Sequence, residues 1–98
     1  MFKINFDYLL AMRQAAAIET IAGEMRSLAN RDLQNTSDAL RGSWTGEAAD
    51  KFLVYCDEVK AQIIQKVEEL NTTAATIRSV AMEIKRAEER ANARIGGQ

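Results

Sequence analysis

Ser43-Trp44-Thr45-Gly46-Glu47 breaks a chain that otherwise reads as helix on both sides. LQNTSDALRG (33–42) precedes it and AADKFLVYCDEVKAQII (48–64) follows it, each with apolar residues every three or four positions. The break carries the only tryptophan, set between Gly42 and Gly46. Gly42 is suited to the left-handed conformation that ends a helix, and Ser43 and Thr45 are N-cap candidates for the next one. Glu47 and Asp50 then fall in a first turn, where the helix dipole favours negative charge. So short a connection makes its two helices antiparallel neighbours. The whole chain, 1–98, is therefore one helical-hairpin domain: a helix over about 7–41, a turn at 42–46 and a helix over about 46–94. At a rise of ~1.5 Å per residue these helices are roughly 50 and 70 Å long.

Working outward, Ile4, Tyr8, Ala11, Ala15, Ile18, Ala22, Met25 and Ala29 alternate steps of four and three on one helical stripe. Leu33, Thr36 and Leu40 carry it on, with a slip between Ala29 and Leu33 of the kind that locally unwinds a supercoil. In the second half Ile63, Val67, Leu70, Ala74, Ile77, Ala81, Ile84, Glu88, Ala91 and Ile95 keep the same alternation, extended backwards through Phe52, Tyr55, Cys56 and Val59. Val67, Ala74 and Ala81 are small, so a partner helix could come close there and insert its own bulky residues. Ile21 and Leu28 on the first helix, and Ile64 and Val80 on the second, widen the apolar faces beyond what one partner helix covers. The expected fold class is all-α: a hairpin that dimerises into a four-helix bundle, with Ile18, Ile21, Met25, Leu28, Ile63, Val67, Leu70, Ala74, Ile77 and Ala81 in the dimer or bundle core.

Composition narrows the function. The chain has 98 residues, no proline, 13 basic and 14 acidic side chains. That balance lacks the basic footprint of a nucleic-acid binder. No apolar run reaches the length of a membrane span. In MFKINFDYLLAMRQAAAIET, Asp7 and Arg13 interrupt the apolar stretch, so no cleavable signal peptide is read there. There is no histidine, Cys56 is the single cysteine, and no glycine-rich phosphate loop is present. No catalytic residue, metal site or cofactor is expected.

Trp44-Thr45-Gly46, in the turn between two long amphipathic helices of a chain of about one hundred residues, resembles the WXG-hundred, or ESAT-six-like, family. The resemblance implies a small non-enzymatic hairpin that dimerises and leaves the cell, from the cytoplasm, through type VII secretion without a cleavable signal. That family's broad C-terminal secretion pattern is met by Ile84, Glu88, Ala91 and Ile95. Its narrower form places a tyrosine before the acid, which is lacking here and favours a low-GC Gram-positive source over a mycobacterial one. The implied export signal joins Trp44 and Gly46 of the turn to those C-terminal residues, read by the secretion ATPase. The implied partner is a second copy or an unlike small family member; the alternative role is that of an adaptor for a larger exported toxin. Trp44 is expected to cover the end of the bundle. Glu88 sits where the stripe requires an apolar side chain, and residues 85–98 are expected to overhang the bundle.

Overall fold

The computed structural model describes residues 6–96 and shows α-helix with no strand among them. Helix α1 spans Tyr8–Ser27, a π-helical turn Leu28–Leu33 follows, and α2 spans Gln34–Ser43 on the same axis. After the turn α3 runs Glu47–Gly96, 50 residues, back along the whole assembly. The hairpin measures 79 × 15 × 15 Å, two helices thick in one direction and one in the other. Asp7 starts α1: its backbone is extended and its carboxylate accepts from the Leu10 N–H at 2.9 Å, satisfying one of the orphan donors of the first turn. Ile4 of the expected stripe lies outside the described residues.

The core is a ladder of small side chains. Ala15, Ala22 and Ala29 from the first helical arm, and Ala49, Val67, Ala74 and Ala81 from α3, are at most 3% exposed. Four cross-helix pairs mark the register: Arg78 on Glu19, Lys60 on Gln34, Arg41 near Asp57 at 3.9 Å, and Lys85 over the Tyr8 ring at 4.6 Å. That register sets Ala15 level with Ala81, Ala22 with Ala74, and Ala29 with Val67. Between these small layers Ile18 stands level with Ile77, and Met25 with Leu70, all half-buried. The sequence reading expected bulky partners to insert beside the small residues of α3. Small instead meets small, so the helices approach closely and the larger side chains occupy alternate layers and the flanks.

The slip at Ala29 becomes the π-helical turn. Such a turn takes in one residue more than α-helix. The stripe therefore continues through Leu33, Ser37 and Leu40 rather than Leu33, Thr36 and Leu40: Ser37 is 3% exposed, while Thr36 faces outward and its hydroxyl donates to the Asp32 carbonyl at 2.9 Å. Without the extra residue Asp32, Thr36 and Ala39 would face α3. With it, Leu33 stands level with Ile63 and Leu40 with Cys56.

On α3 the seam near the turn also differs from expectation. Leu53, Cys56 and Lys60 face the first arm, whereas Phe52 and Tyr55 are 42% and 60% exposed. The strict alternation of threes and fours thus runs unbroken from Ala49 to Glu88. It was obscured by Lys60, an inward-facing cation. Its ammonium donates to Gln34 Oε1 at 2.8 Å, and Gln34 in turn donates to Asp38 Oδ1 at 3.0 Å. That partner lets the lysine stem pack in the seam with its charge hydrogen-bonded.

One flank of the two-helix seam carries its bidentate ion pair. There the Arg78 guanidinium donates to both Glu19 carboxylate oxygens, at 2.5 and 2.6 Å. This bidentate hydrogen bond holds the Glu19 carboxyl below the usual carboxylate range and raises Arg78 above its ordinary value. On the opposite flank Ile21, Leu28 and Val80 are 45–50% exposed.

Candidate functional site: the turn and the C-terminal helix end

The turn is built differently from its sequence signature. Gly42 lies inside α2, which ends one residue later, and Trp44 is the cap: its backbone is extended (φ −113°, ψ 134°) and its N–H donates to the Leu40 carbonyl at 2.7 Å. The Ser43 hydroxyl donates back to the Ala39 carbonyl at 3.1 Å and so belongs to the helix behind it. Gly46 alone among the described residues has a left-handed φ, at +105°. Its carbonyl accepts the first bond of α3, from the Asp50 N–H at 3.1 Å. A Cβ at Gly46 would touch nothing within 4 Å, so glycine is required there by backbone conformation and not by space.

Trp44 does not close the end of the hairpin. It is 52% exposed and rests edge-on against Phe52, ring centroids 5.8 Å apart with planes at 79°. An extended residue at a helix end projects its side chain away from the two-helix axis, and a two-helix cross-section has no third wall to receive an indole. Trp44 and Phe52 thus form an exposed aromatic pair at the turn, and Tyr55, also exposed, follows on the next residues of α3.

The other part of the expected signal lies at the far end of the same chain. Ile84 is half-buried, level with Ala11 of α1. Glu88 is also half-buried, with Oε1 enclosed and without a hydrogen-bond partner. Ala91 and Ile95 continue the seam but are exposed, Ile95 by 58%. The overhang therefore begins after Glu88 and not at residue 85 as expected, because Tyr8 and Phe6 reach the level of Glu88. Trp44 and Ala91 are separated by nearly the whole of α3, about 65 Å at 1.5 Å per residue. A signal that combines them needs two chains side by side in opposite directions.

The remaining candidate positions divide by exposure. Val67, Ala74 and Ala81 are buried inside the hairpin, Ile18, Met25, Ile63, Leu70 and Ile77 are half-buried, and Ile21 and Leu28 face outward. A shallow depression lined by Gln65, Glu68, Glu69, Thr72 and Thr73 lies on α3 alone and is open to solvent. Among the described residues no helix is long and apolar enough to cross a membrane, and no cluster of three or more metal-ligating side chains occurs.

No curated protein and no solved structure matches the chain. The family model "Proteins of 100 residues with WXG" matches residues 2–89. The match takes in the turn, the first helical arm and α3 through Glu89, and stops short of Ala91 and Ile95. Its members are small non-enzymatic helical proteins secreted by the type VII route, which typically pair as dimers. On a match over most of its length, with the tryptophan and glycine in the turn of a helical hairpin, the chain belongs to the WXG100 family.

Proposed function

We propose that this protein is made in the cytoplasm and exported through a type VII secretion system as a folded helical dimer, its signal shared between the turn and the end of α3. One observation carries the reading: α3 holds Glu88, Ala91 and Ile95 in seam register at and beyond the point where α1 stops. A carboxylate with one oxygen enclosed and without a hydrogen-bond partner is unfavourable, and two exposed apolar residues add nothing to the hairpin. Residues that the fold does not use, in an ordered helix, suit recognition by a partner such as the secretion ATPase. Trp44 and Gly46 contribute the turn half of the signal, Trp44 by its exposed indole and Gly46 by the φ that aims it.

The test separates folding from export. Glu88→Ala removes the enclosed, unpartnered oxygen and adds a better helix former, so the melting temperature holds or rises slightly. Ile95→Asn alters an exposed position and leaves stability within about 0.5 kcal/mol. In a type VII-competent host both variants should accumulate in the lysate and be lost from the medium. Export of both at the parental level would remove the end of α3 from the signal.

A further inference from the structure

The part of the hairpin next to the turn is held together differently from the part that carries α1. From Ala15 to Ala29 the seam is closed by apolar layers: Ala15, Ala22 and Ala29 against Ala81, Ala74 and Val67, all at most 1% exposed. Along α2 the only fully buried residue is Ser37, and α3 opposite has none between Ala49 and Val67. Leu33 and Leu40 are half-buried. Polar pairs supply the rest: Lys60 Nζ donates to Gln34 Oε1 at 2.8 Å, and the Arg41 guanidinium lies 3.2 Å from Asp38 and 3.9 Å from Asp57. Exposed ion pairs such as those of Arg41 add little stability.

The sequence of α2 is also a weak helix. Asn35, Thr36, Ser37, Asp38, Gly42 and Ser43 make up most of its ten residues and rank below the alanine, leucine and methionine in which α1 is rich. Both of its ends are joints. On one side the π-helical turn Leu28–Leu33 interrupts the α-helical hydrogen-bond ladder, and helices bend at such turns. On the other side Gly46 turns the chain at φ +105°.

We propose that α2 is a strap, which melts and lifts from α3 between these two joints while the α1 part of the hairpin stays closed. Opening uncovers Leu53 and Cys56 of α3. It also releases the Trp44 N–H from the Leu40 carbonyl, so the indole loses its fixed place against Phe52. The extra residue of the π-helical turn makes the separation possible, because continuous α-helix through residue 30 would extend the cooperative ladder of α1 into α2. Local opening of this kind belongs to the segments with the fewest buried apolar groups, and α2 is that segment here. The strap does not depend on whether the turn forms part of an export signal.

Thiol labelling tests it. In a Cys56→Ser background, Ser37→Cys and Ala22→Cys each put the only thiol of the chain at a buried seam position, 3% and 1% exposed in the parent. Ser37→Cys should label at least about 100-fold faster than Ala22→Cys, at a rate that changes little with urea below the unfolding transition, since a local opening exposes little surface. Deleting Asn30 restores the strict alternation of Met25, Ala29, Leu33, Ser37 and Leu40 and converts the π-helical turn to α-helix. Labelling at position 37 should then slow about tenfold or more. Amide hydrogen exchange on the unaltered chain repeats the comparison without a substitution, with amides of 34–43 exchanging ahead of those of 12–27. Equal labelling at both positions with one urea dependence, or equal exchange in the two segments, would mean a single cooperative unit and overturns the strap. Undiminished labelling at position 37 after deletion of Asn30 overturns the π-helical turn as its joint.

Discussion

Ala22→Leu probes the central claim about packing, that two alanines face each other at the middle of the hairpin. Ala22 is 1% exposed and Ala74, level with it, is 0% exposed. Three further carbons therefore have no space to enter, and the neighbouring layers hold Ile18 with Ile77 and Met25 with Leu70. The helices must separate locally or the leucine must leave its rotamer, at a cost of about 1–3 kcal/mol. For a domain of this size each kcal/mol lowers the melting temperature by about 4–8 °C, so a drop of roughly 5–20 °C is expected. The matched control is Ala75→Leu, adjacent to Ala74 but exposed, for which the change stays within about 0.5 kcal/mol. Circular dichroism melts of parent and both variants, at one protein concentration because dimerisation shifts the midpoint, measure the difference. An Ala22→Leu chain that melts at or above the parental temperature would refute the close approach, since it would mean a gap between α1 and α3 that leucine fills.

Four other outcomes follow from particular contacts. Ile77→Asp places an unpaired carboxylate in a large-residue layer and should cost several kcal/mol, read as loss of the cooperative helical melt. Gly46→Ala forces an L-residue to φ +105° and should cost at least about 1 kcal/mol, whereas Gly42→Ala, in open space within α2, should stabilise by about 0.5–1 kcal/mol; chemical denaturation of the pair checks the opposite signs. Trp44→Ala should cost about 1–2 kcal/mol, below the roughly 3–5 kcal/mol of a fully buried aromatic, because half the side chain is already in solvent. Glu19 has its pKa lowered from 4.5 by Arg78, so the stability contributed by that group is present above pH 4.5 and is lost as pH falls through the lower folded value; Glu19→Gln should flatten that part of the acid unfolding curve.

The hairpin was legible because its evidence is periodic and local. Alternating steps of three and four identify a face without knowledge of what it meets, and a break with tryptophan between glycines identifies the turn. What could not be read was the identity of the facing layer. Ala74 and Ala81 look the same in the sequence whether bulky residues or alanines lie opposite, and the choice depends on register. That register follows from pairs such as Glu19–Arg78, 59 residues apart in sequence. The π-helical turn was visible only as a slip, since both Thr36 and Ser37 fit a stripe that ends at Leu40; a small hydroxyl residue gives no hydrophobic signal to choose between them. Lys60 hid part of the α3 seam for the complementary reason. A charge at a core position reads as an interruption until its acceptor, Gln34, is seen across the interface.

The candidate signal shows the same division between what neighbours in sequence reveal and what opposite helices decide. Trp44 and Gly46 were identifiable as a turn pair, and in the single hairpin the indole is half-exposed because two helices offer it no third wall. Glu88 was identifiable as an acid out of place. Whether it lay inside or beyond the hairpin depended on where α1 begins, which Asp7 marks by accepting from the Leu10 N–H as N-cap. With α1 fixed at Tyr8, Glu88 becomes the last residue level with the first arm and Ala91 the first beyond it. A carboxylate at that border keeps the seam from simply extending into its own hairpin. The apolar residues that follow stay exposed on an ordered helix, which is the arrangement that the proposed recognition at the end of α3 requires.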